Sequence, residues 1–236
     1  MPDGLYFCQL LAGRDFAVED GLATTMRNHV YVVGDASTGE VLLVDPAYDV
    51  RGLLEWVSKE DLRVAGVVAT HYHADHVGGE MMIGERIEGL AELLELADVP
   101  VHVQKDEVPW VAEMTGAPVS SFVAHSDEDI VQVGSVMVRL LHTPGHTPGS
   151  QCLVAGDNLV SGDTLFIEGC GRTDLPGADP QEMYTSLQRL SSLPGRLTLW
   201  PGHHYSREES APMETVKHNN PVLARVERAV WLRQYS

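Results

Sequence analysis

Cysteine is scarce in this sequence of 236 residues, with Cys8, Cys152 and Cys170 the only three. They are widely separated and odd in number, which excludes a disulfide framework. None stands in a Cys-x-x-Cys pair, which excludes that kind of metal spacing. Basic residues are also few: 16 Lys and Arg face 34 Asp and Glu, for a formal net charge of −18. That balance argues against nucleic acid or an anionic membrane as a partner, and most of the acidity serves to keep the surface solvated. An anionic substrate would therefore need a local basic patch. The chain does not open with a basic start followed by an apolar run, and it contains no apolar stretch long enough to span a bilayer. The expectation from these absences is a cytoplasmic protein. Repeats, low-complexity tracts and a domain linker are missing as well. With 44% apolar and 21% charged residues the composition is that of an ordinary globular chain. The length suits one domain over residues 1–236, with a short helical tail from about residue 210 onward.

What is present is histidine, 11 in all and unevenly spread. The stretch Thr70-His71-Tyr72-His73-Ala74-Asp75-His76 carries three histidines and an aspartate. It follows the apolar run Val64-Ala65-Gly66-Val67-Val68-Ala69, which reads as a buried strand, and it precedes Gly78-Gly79. The spacing therefore puts the cluster on a loop at a strand's C-terminal end. Imidazole nitrogens and a carboxylate converging from one short loop suit a transition metal. A single histidine is usually a surface or satisfied core residue, but four such side chains together call for a ligand.

The rest of the chain reads as strands with interspersed helices. Asn28 to Val33 is a strand, and Glu40 to Asp45 its hairpin partner across a turn at Gly34-Asp35 and Ser37-Thr38-Gly39. Val50, Leu53, Leu54 and Val57 lie at helical spacing, which predicts an amphipathic helix over Val50 to Lys59. Met81 to Ala97 has helical character interrupted by Gly84 and Gly89. Val99 to Val103 reads as a short strand and Glu107 to Met114 as a short helix. Thr115 to Asp129 shows no clear period and reads as a loop, either a lid or a plain connector. Strands follow over Asp129 to Val133, Val136 to Leu141, Gln151 to Val154 and Asn158 to Ser161, the last two joined by a turn at Gly156-Asp157-Asn158. Asp179 caps, and Pro180 opens, a helix over Glu182 to Leu190. Arg196 to Trp200 is a last core strand and Val222 to Gln234 a last helix. Together these indicate a mixed α/β layered fold.

Three later strands end as the first one does. Leu141-His142-Thr143-Pro144-Gly145-His146-Thr147, Ser161-Gly162-Asp163-Thr164 and Trp200-Pro201-Gly202-His203-His204-Tyr205 each set a His or Asp beside a glycine, where the backbone can turn sharply. One convergent site is the economical reading of four such strand ends. Asp45, ending a strand before the site, is either a partner for a ligand imidazole or a turn cap.

The His-x-His-x-Asp-His loop at His71 to His76, followed by His146, Asp163 and His203, resembles the metallo-β-lactamase fold superfamily over nearly the whole chain. The resemblance implies a four-layer αββα sandwich with metals at one end of the two sheets. It further implies that His71, His73 and His146 hold one metal ion, that Asp75, His76 and His203 hold a second, and that Asp163 bridges them. Two divalent ions are implied, zinc first, with iron or manganese as alternatives. His203 rather than His204 is the implied ligand because it directly follows the glycine.

Within that superfamily, Gly162-Asp163-Thr164-Leu165-Phe166, Gly169-Cys170-Gly171-Arg172-Thr173-Asp174, Pro201 to Tyr205 and Asn220-Pro221 look like the glyoxalase II branch, enzymes that hydrolyse hydroxyacyl-glutathione thioesters. The same phrases resemble the persulfide dioxygenases, which oxidise glutathione persulfide at a single iron. There the ligands would be His71, His146 and Asp163, two histidines and a carboxylate, as suits non-haem Fe(II). In the hydrolase, Asp75 and Asp163 would orient the metal-bound water, and metal coordination would supply hydroxide at neutral pH. Arg172 would meet the carboxylate of the thiol, and Tyr205 would add a hydrogen bond; the alternative for Arg172 is a surface ion pair. The implied partner is a small anionic thioester or persulfide, and a homo-oligomer is left open. The glyoxalase group usually carries a longer helical C-terminal portion, and Met81 to Asp129 is longer than either resemblance predicts, so another thiol carrier, or another ester or amide, stays open beside glutathione. A metal-binding module without catalysis ranks last, because seven ligands shared by two metals leave open positions. His29, His102, His125, His142 and His218 are assigned to ordinary surface or core roles, with His142 and His204 near enough in sequence to support ligands. Cys170 is assigned to packing. A thioester hydrolase is the expected function.

Overall fold

Strands buried on both faces read as near-continuous apolar runs, and in this protein they form the middle of a sandwich. A computed structural model describes residues 4–81, 84–224 and 227–235. The first half runs β1 (Leu5–Leu11), α1 (Gly21–Met26), β2 (His29–Asp35), β3 (Glu40–Val44), α2 (Val50–Lys59), β4 (Arg63–Val68), α3 (Ala74–Val77), β5 (Gly79–Glu80), β6 (Arg86–Ile87), α4 (Leu90–Leu96), β7 (Val101–Gln104), α5 (Val108–Thr115) and β8 (Phe122–His125). The second half runs β9 (Ile130–Val133), β10 (Val136–His142), β11 (Gln151–Ala155), β12 (Asn158–Gly162), α6 (Pro180–Ser192), β13 (Thr198–Pro201), β14 (Ala211–Pro212), α7 (Met213–Asn219) and α8 (Arg228–Tyr235).

Two six-stranded sheets result, ordered β1-β2-β3-β4-β7-β8 and β14-β13-β12-β11-β10-β9. Side-chain alternation sorts the core into three layers. Tyr31, Val33, Leu42 and Val44 of the first sheet pack against Val138, Leu140, Leu153 and Val160 of the second, which forms the layer between the sheets. The opposite faces of the same strands, Val30, Val32, Val41 and Leu43, meet Leu53, Val57, Leu90 and Leu93 from α2 and α4. On the far side, Leu141, Cys152, Leu159 and Leu199 meet Met183, Leu187, Val216 and Trp231 from α6, α7 and α8. Helix, sheet, sheet, helix is the αββα order the motifs imply.

The two best-patterned helices form as the spacing predicts. Asp49 accepts from the Gly52 N–H at the start of α2, which buries Val50, Leu53 and Val57. Asp179 caps α6, with Pro180 at its first position.

Four sequence readings are corrected. The opening residues, which carried no pattern, form β1 and α1; β1 pairs antiparallel with β2 as an outer strand. Met81 to Ala97 is not one interrupted helix but the end of a two-residue hairpin, β5 with β6, followed by α4. Residues 82 and 83 of that stretch lie outside the described residues. Thr115 to Asp129 is not a loop throughout, because a 3-10 turn at Val119–Ser121 leads into β8, which pairs parallel with β7 at the sheet edge. Val222 to Gln234 is not one helix: a 3-10 turn at Pro221–Leu223 precedes α8, and residues 225 and 226 between them lie outside the described residues. Among the described residues, no helix is long and apolar enough to cross a membrane.

Candidate metal centre

The parallel pair β3 and β4 delivers the first part of the site. Asp45 follows β3 with a left-handed φ of 54°. Its carboxylate accepts from the backbone N–H (2.7 Å) and hydroxyl (2.6 Å) of Thr70, just after β4. That clamp fixes where the His71 to His76 segment begins. The segment is not wholly a loop: His73 is extended, and Ala74–Val77 close one helical turn, α3, so Asp75 and His76 project from a helix. Residues from four strand ends then converge. His146 follows β10, Asp163 follows β12 and His203 follows β13.

The convergence has two halves. His71, His73 and His146 form one group whose ligating atoms lie within 4.8 Å of one another, and Asp75, His76 and His203 form another. In the first, His146 Nε2 is 3.0 Å from His73 Nδ1. In the second, His76 Nε2 is 3.2 Å from His203 Nε2, and His203 Nε2 is 3.3 Å from Asp75 Oδ2. Asp163 faces both. Its Oδ2 is 3.7 Å from His146 Nε2 and 3.3 Å from His203 Nε2, while its Oδ1 is 3.5 Å from His76 Nε2. Gly202 makes that approach possible, since a Cβ there would come within 2.4 Å of Asp163 Oδ1.

The ring nitrogens that face away from the centre are tied to the protein, which fixes each imidazole's orientation. His76 Nδ1 lies 2.8 Å from Asp45 Oδ2, His146 Nδ1 2.7 Å from the Arg172 carbonyl, and His203 Nδ1 2.9 Å from the Met26 carbonyl. Asp45, His71 and His76 also lie within metal-binding reach of one another. Both oxygens of Asp45 are already engaged by Thr70 and His76, however, so Asp45 serves as the imidazole partner.

Do these residues fit a metal? Two buried polar atoms facing the centre, His71 Nε2 and Asp163 Oδ1, have no hydrogen-bond partner. Leaving such a group unpaired costs about 1–3 kcal/mol, and a cation between them would remove that cost. Imidazole and carboxylate donors are the set that zinc, iron and manganese accept. Burial holds His71 well below the usual imidazole range and brings His73 down to about 4, so both keep a free lone pair at neutral pH. His146 is lowered as well, by burial. Burial also opposes charge on His76 and His203, but the Asp75 and Asp163 carboxylates outweigh it and raise both.

Arg172 is exposed and forms a two-pronged ion pair with Asp174 (2.9 and 2.8 Å), while its backbone carbonyl holds His146. Its side chain borders a cavity of about 430 Å3 together with Cys170, Val222 and Tyr235. Tyr205 stacks on His203, with centroids 4.5 Å apart and planes at 9°, and is 56% exposed at the rim. His204 turns away to Arg27, with its Nδ1 2.7 Å from the guanidinium, and His142 donates to the Pro148 carbonyl. Neither supports a ligand. His29 Nδ1 holds the Pro201 carbonyl, two residues ahead of His203, at 3.0 Å. Cys170 is packed, and burial pushes its thiol up to about 12. Sequence reasoning missed Asn28, which donates to Asp75 Oδ2 at 3.0 Å and is itself fixed by the Tyr48 hydroxyl at 2.8 Å. Only a polar residue opening an apolar strand hinted at it.

Two groups of imidazoles and carboxylates at one end of an αββα sandwich define a candidate metal site on that fold. The Metallo-beta-lactamase superfamily model matches residues 23–203, and the chain belongs to that superfamily. It is 28% identical over 195 residues to the probable polyketide biosynthesis zinc-dependent hydrolase BaeB of Bacillus velezensis, covering 82% of this chain and 80% of that one. It is 33% identical over 209 residues to the hydroxyacylglutathione hydrolase of Alkalilimnicola ehrlichii, covering 88% and 73%. The mitochondrial persulfide dioxygenase ETHE1 of Bos taurus is 28% identical over 199 residues, covering 83% and 71%. Among solved structures, ETHE1 from Myxococcus xanthus superposes with a TM-score of 0.76 at 27% identity, covering 97% of this chain and 88% of that one.

Proposed function

We propose that the protein is a metal-dependent hydrolase of the glyoxalase II type that cleaves a small anionic thioester, hydroxyacyl-glutathione or a related thiol ester. The observation that carries the proposal is that both groups of donors are complete and that Asp163 faces the two together. The second group is as fully supported as the first, with Asp45 behind His76, Asn28 on Asp75 and the Met26 carbonyl behind His203.

His71, His73 and His146 would hold one ion and Asp75, His76 and His203 the other, with Asp163 between them. Bound there, a pair of divalent ions, zinc first among them, supplies hydroxide at neutral pH and polarises the thioester carbonyl. Asp75 and Asp163, the carboxylates of the two groups, would orient the attacking water. As the new C–O bond forms the C–S bond breaks, and the thiolate leaves toward the open rim where Tyr205 offers a hydroxyl. For Arg172 to meet a substrate carboxylate it must release Asp174, an exchange of one exposed ion pair for another. Its contribution to affinity is therefore small.

A second reading has support of its own. His71, His146 and Asp163 form the facial set suited to one Fe(II), and the likeness to an ETHE1 structure extends over 97% of the chain. Metal analysis of purified protein, paired with thioester hydrolysis and persulfide-dependent oxygen uptake, separates the two. The expected result is two ions per chain with thioester turnover. One iron per chain with oxygen consumption overturns the hydrolase.

A further inference from the structure

Glu107 sits at the N-cap of α5, yet its side chain does not cap that helix. It is fully buried, with no exposed surface at all. A buried carboxylate is costly unless every oxygen is satisfied, and this one is satisfied entirely by the two loops that carry one group of histidines. Its Oε1 accepts from the Tyr72 N–H at 2.7 Å and from the Thr147 hydroxyl at 2.8 Å. Its Oε2 accepts from the Gly149 N–H at 2.6 Å. Tyr72 lies between His71 and His73, and Thr147 directly follows His146. The approach to the second loop is so close that a Cβ on Gly149 would meet the Glu107 backbone nitrogen at 2.4 Å.

One carboxylate thus bonds the chain beside His71, His73 and His146, to backbone and hydroxyl donors rather than to their rings. The Asp75, His76 and His203 group rests on separate supports, Asn28, Asp45 and the Met26 carbonyl. We propose that Glu107 is the positioning residue of the His71, His73 and His146 half-site, clamping its two loops at the spacing a metal ion needs, and that it acts on that half-site alone. The inference rests on the two-group reading of the centre, but it holds whether that half-site serves a hydrolase or an iron dioxygenase.

A glutamine at this position would keep the volume but offer one oxygen only, and its amide N–H2 would face either Gly149 N–H or the Tyr72 and Thr147 donors. The test measures zinc affinity by competition with a chromophoric chelator in two backgrounds. His203→Ala isolates the first half-site and His146→Ala the second. Glu107→Gln is expected to weaken zinc binding by about ten- to hundredfold in the His203→Ala background, the usual cost of losing a group that orients metal ligands, and by about twofold or less in the His146→Ala background. Thr147→Val, which removes one donor and leaves the carboxylate buried, is expected to weaken the first half-site by about threefold, with the second unchanged. It keeps the question open to measurement if Glu107→Gln fails to fold. Equal losses in both backgrounds, or no loss in either, overturn the clamp. If His203→Ala and His146→Ala do not each remove one zinc ion, the two-group reading fails instead, whatever Glu107 does.

Discussion

At the scale of single residues, the centre divides into candidate metal donors and the groups that hold those donors still. Asp163 is unusual among the donors because its two oxygens look toward both halves. Its ionised form is secured: burial opposes charge, but His203 and His76 outweigh that and hold its carboxyl well below the ordinary range. Asp163→Ala should therefore lose metal and activity together, with bound metal falling by at least one ion per chain on elemental analysis. Full activity in that variant would refute the bridging role. The residues that converge were legible in the sequence because each stands at a fixed offset from a glycine or in one dense run. Their supports were not. Asn28 is separated from Asp75, and Glu107 from Thr147, by some forty residues of sequence, and nothing local marks either one as facing the centre. Asp45 was legible in part, because it ended a strand beside the site.

At the scale of elements, legibility followed burial. β2, β3, β11 and β12 are buried along most of both faces, so their apolar runs stand out. β8 is a four-residue edge strand with Val123 40% exposed, and it carries neither an alternation nor a continuous run. The β5 and β6 pair is two residues long on each side, too short to leave a period. α6 was readable from its cap as much as from its apolar face. The Asp179 carboxylate accepts from the Gln181 N–H at 2.6 Å and the Glu182 N–H at 3.2 Å, two donors that would otherwise lack partners. Asp179→Ala is expected to cost about 1 kcal/mol, which for a domain of this size lowers the thermal midpoint by about 2–4 °C. Differential scanning calorimetry reads this directly; an unchanged midpoint would mean the cap is replaced by solvent at no cost.

At the scale of the whole molecule, the site joins the two sheets. His71 to His76 extend from the first sheet, and His146, Asp163 and His203 from the second, so a bound ion ties the ends of strands from both. The net charge of −18 draws cations toward either half alike and is screened by salt, so it cannot rank the two halves. Protons can. Metal binding requires unprotonated imidazoles. In the first group burial lowers His71, His73 and His146, His73 to about 4, so protons do not compete there until the pH is well below neutral. In the second group burial is outweighed by Asp75 and Asp163, which raise His76 and His203 above the ordinary value of 6.5. The sign follows: a raised pKa means a proton must leave before the ion enters, so affinity in the second group falls as pH falls through neutrality. Each proton displaced costs about tenfold in affinity per pH unit. Dialysis against buffers from about pH 8 to about pH 5.5 should therefore strip the Asp75, His76 and His203 ion first, leaving one ion per chain across the lower part of that range. Metal counting on the His146→Ala and His203→Ala variants identifies which ion has gone. Loss of both ions in a single step, or of the first group's ion before the second's, would show that the carboxylates do not set the order.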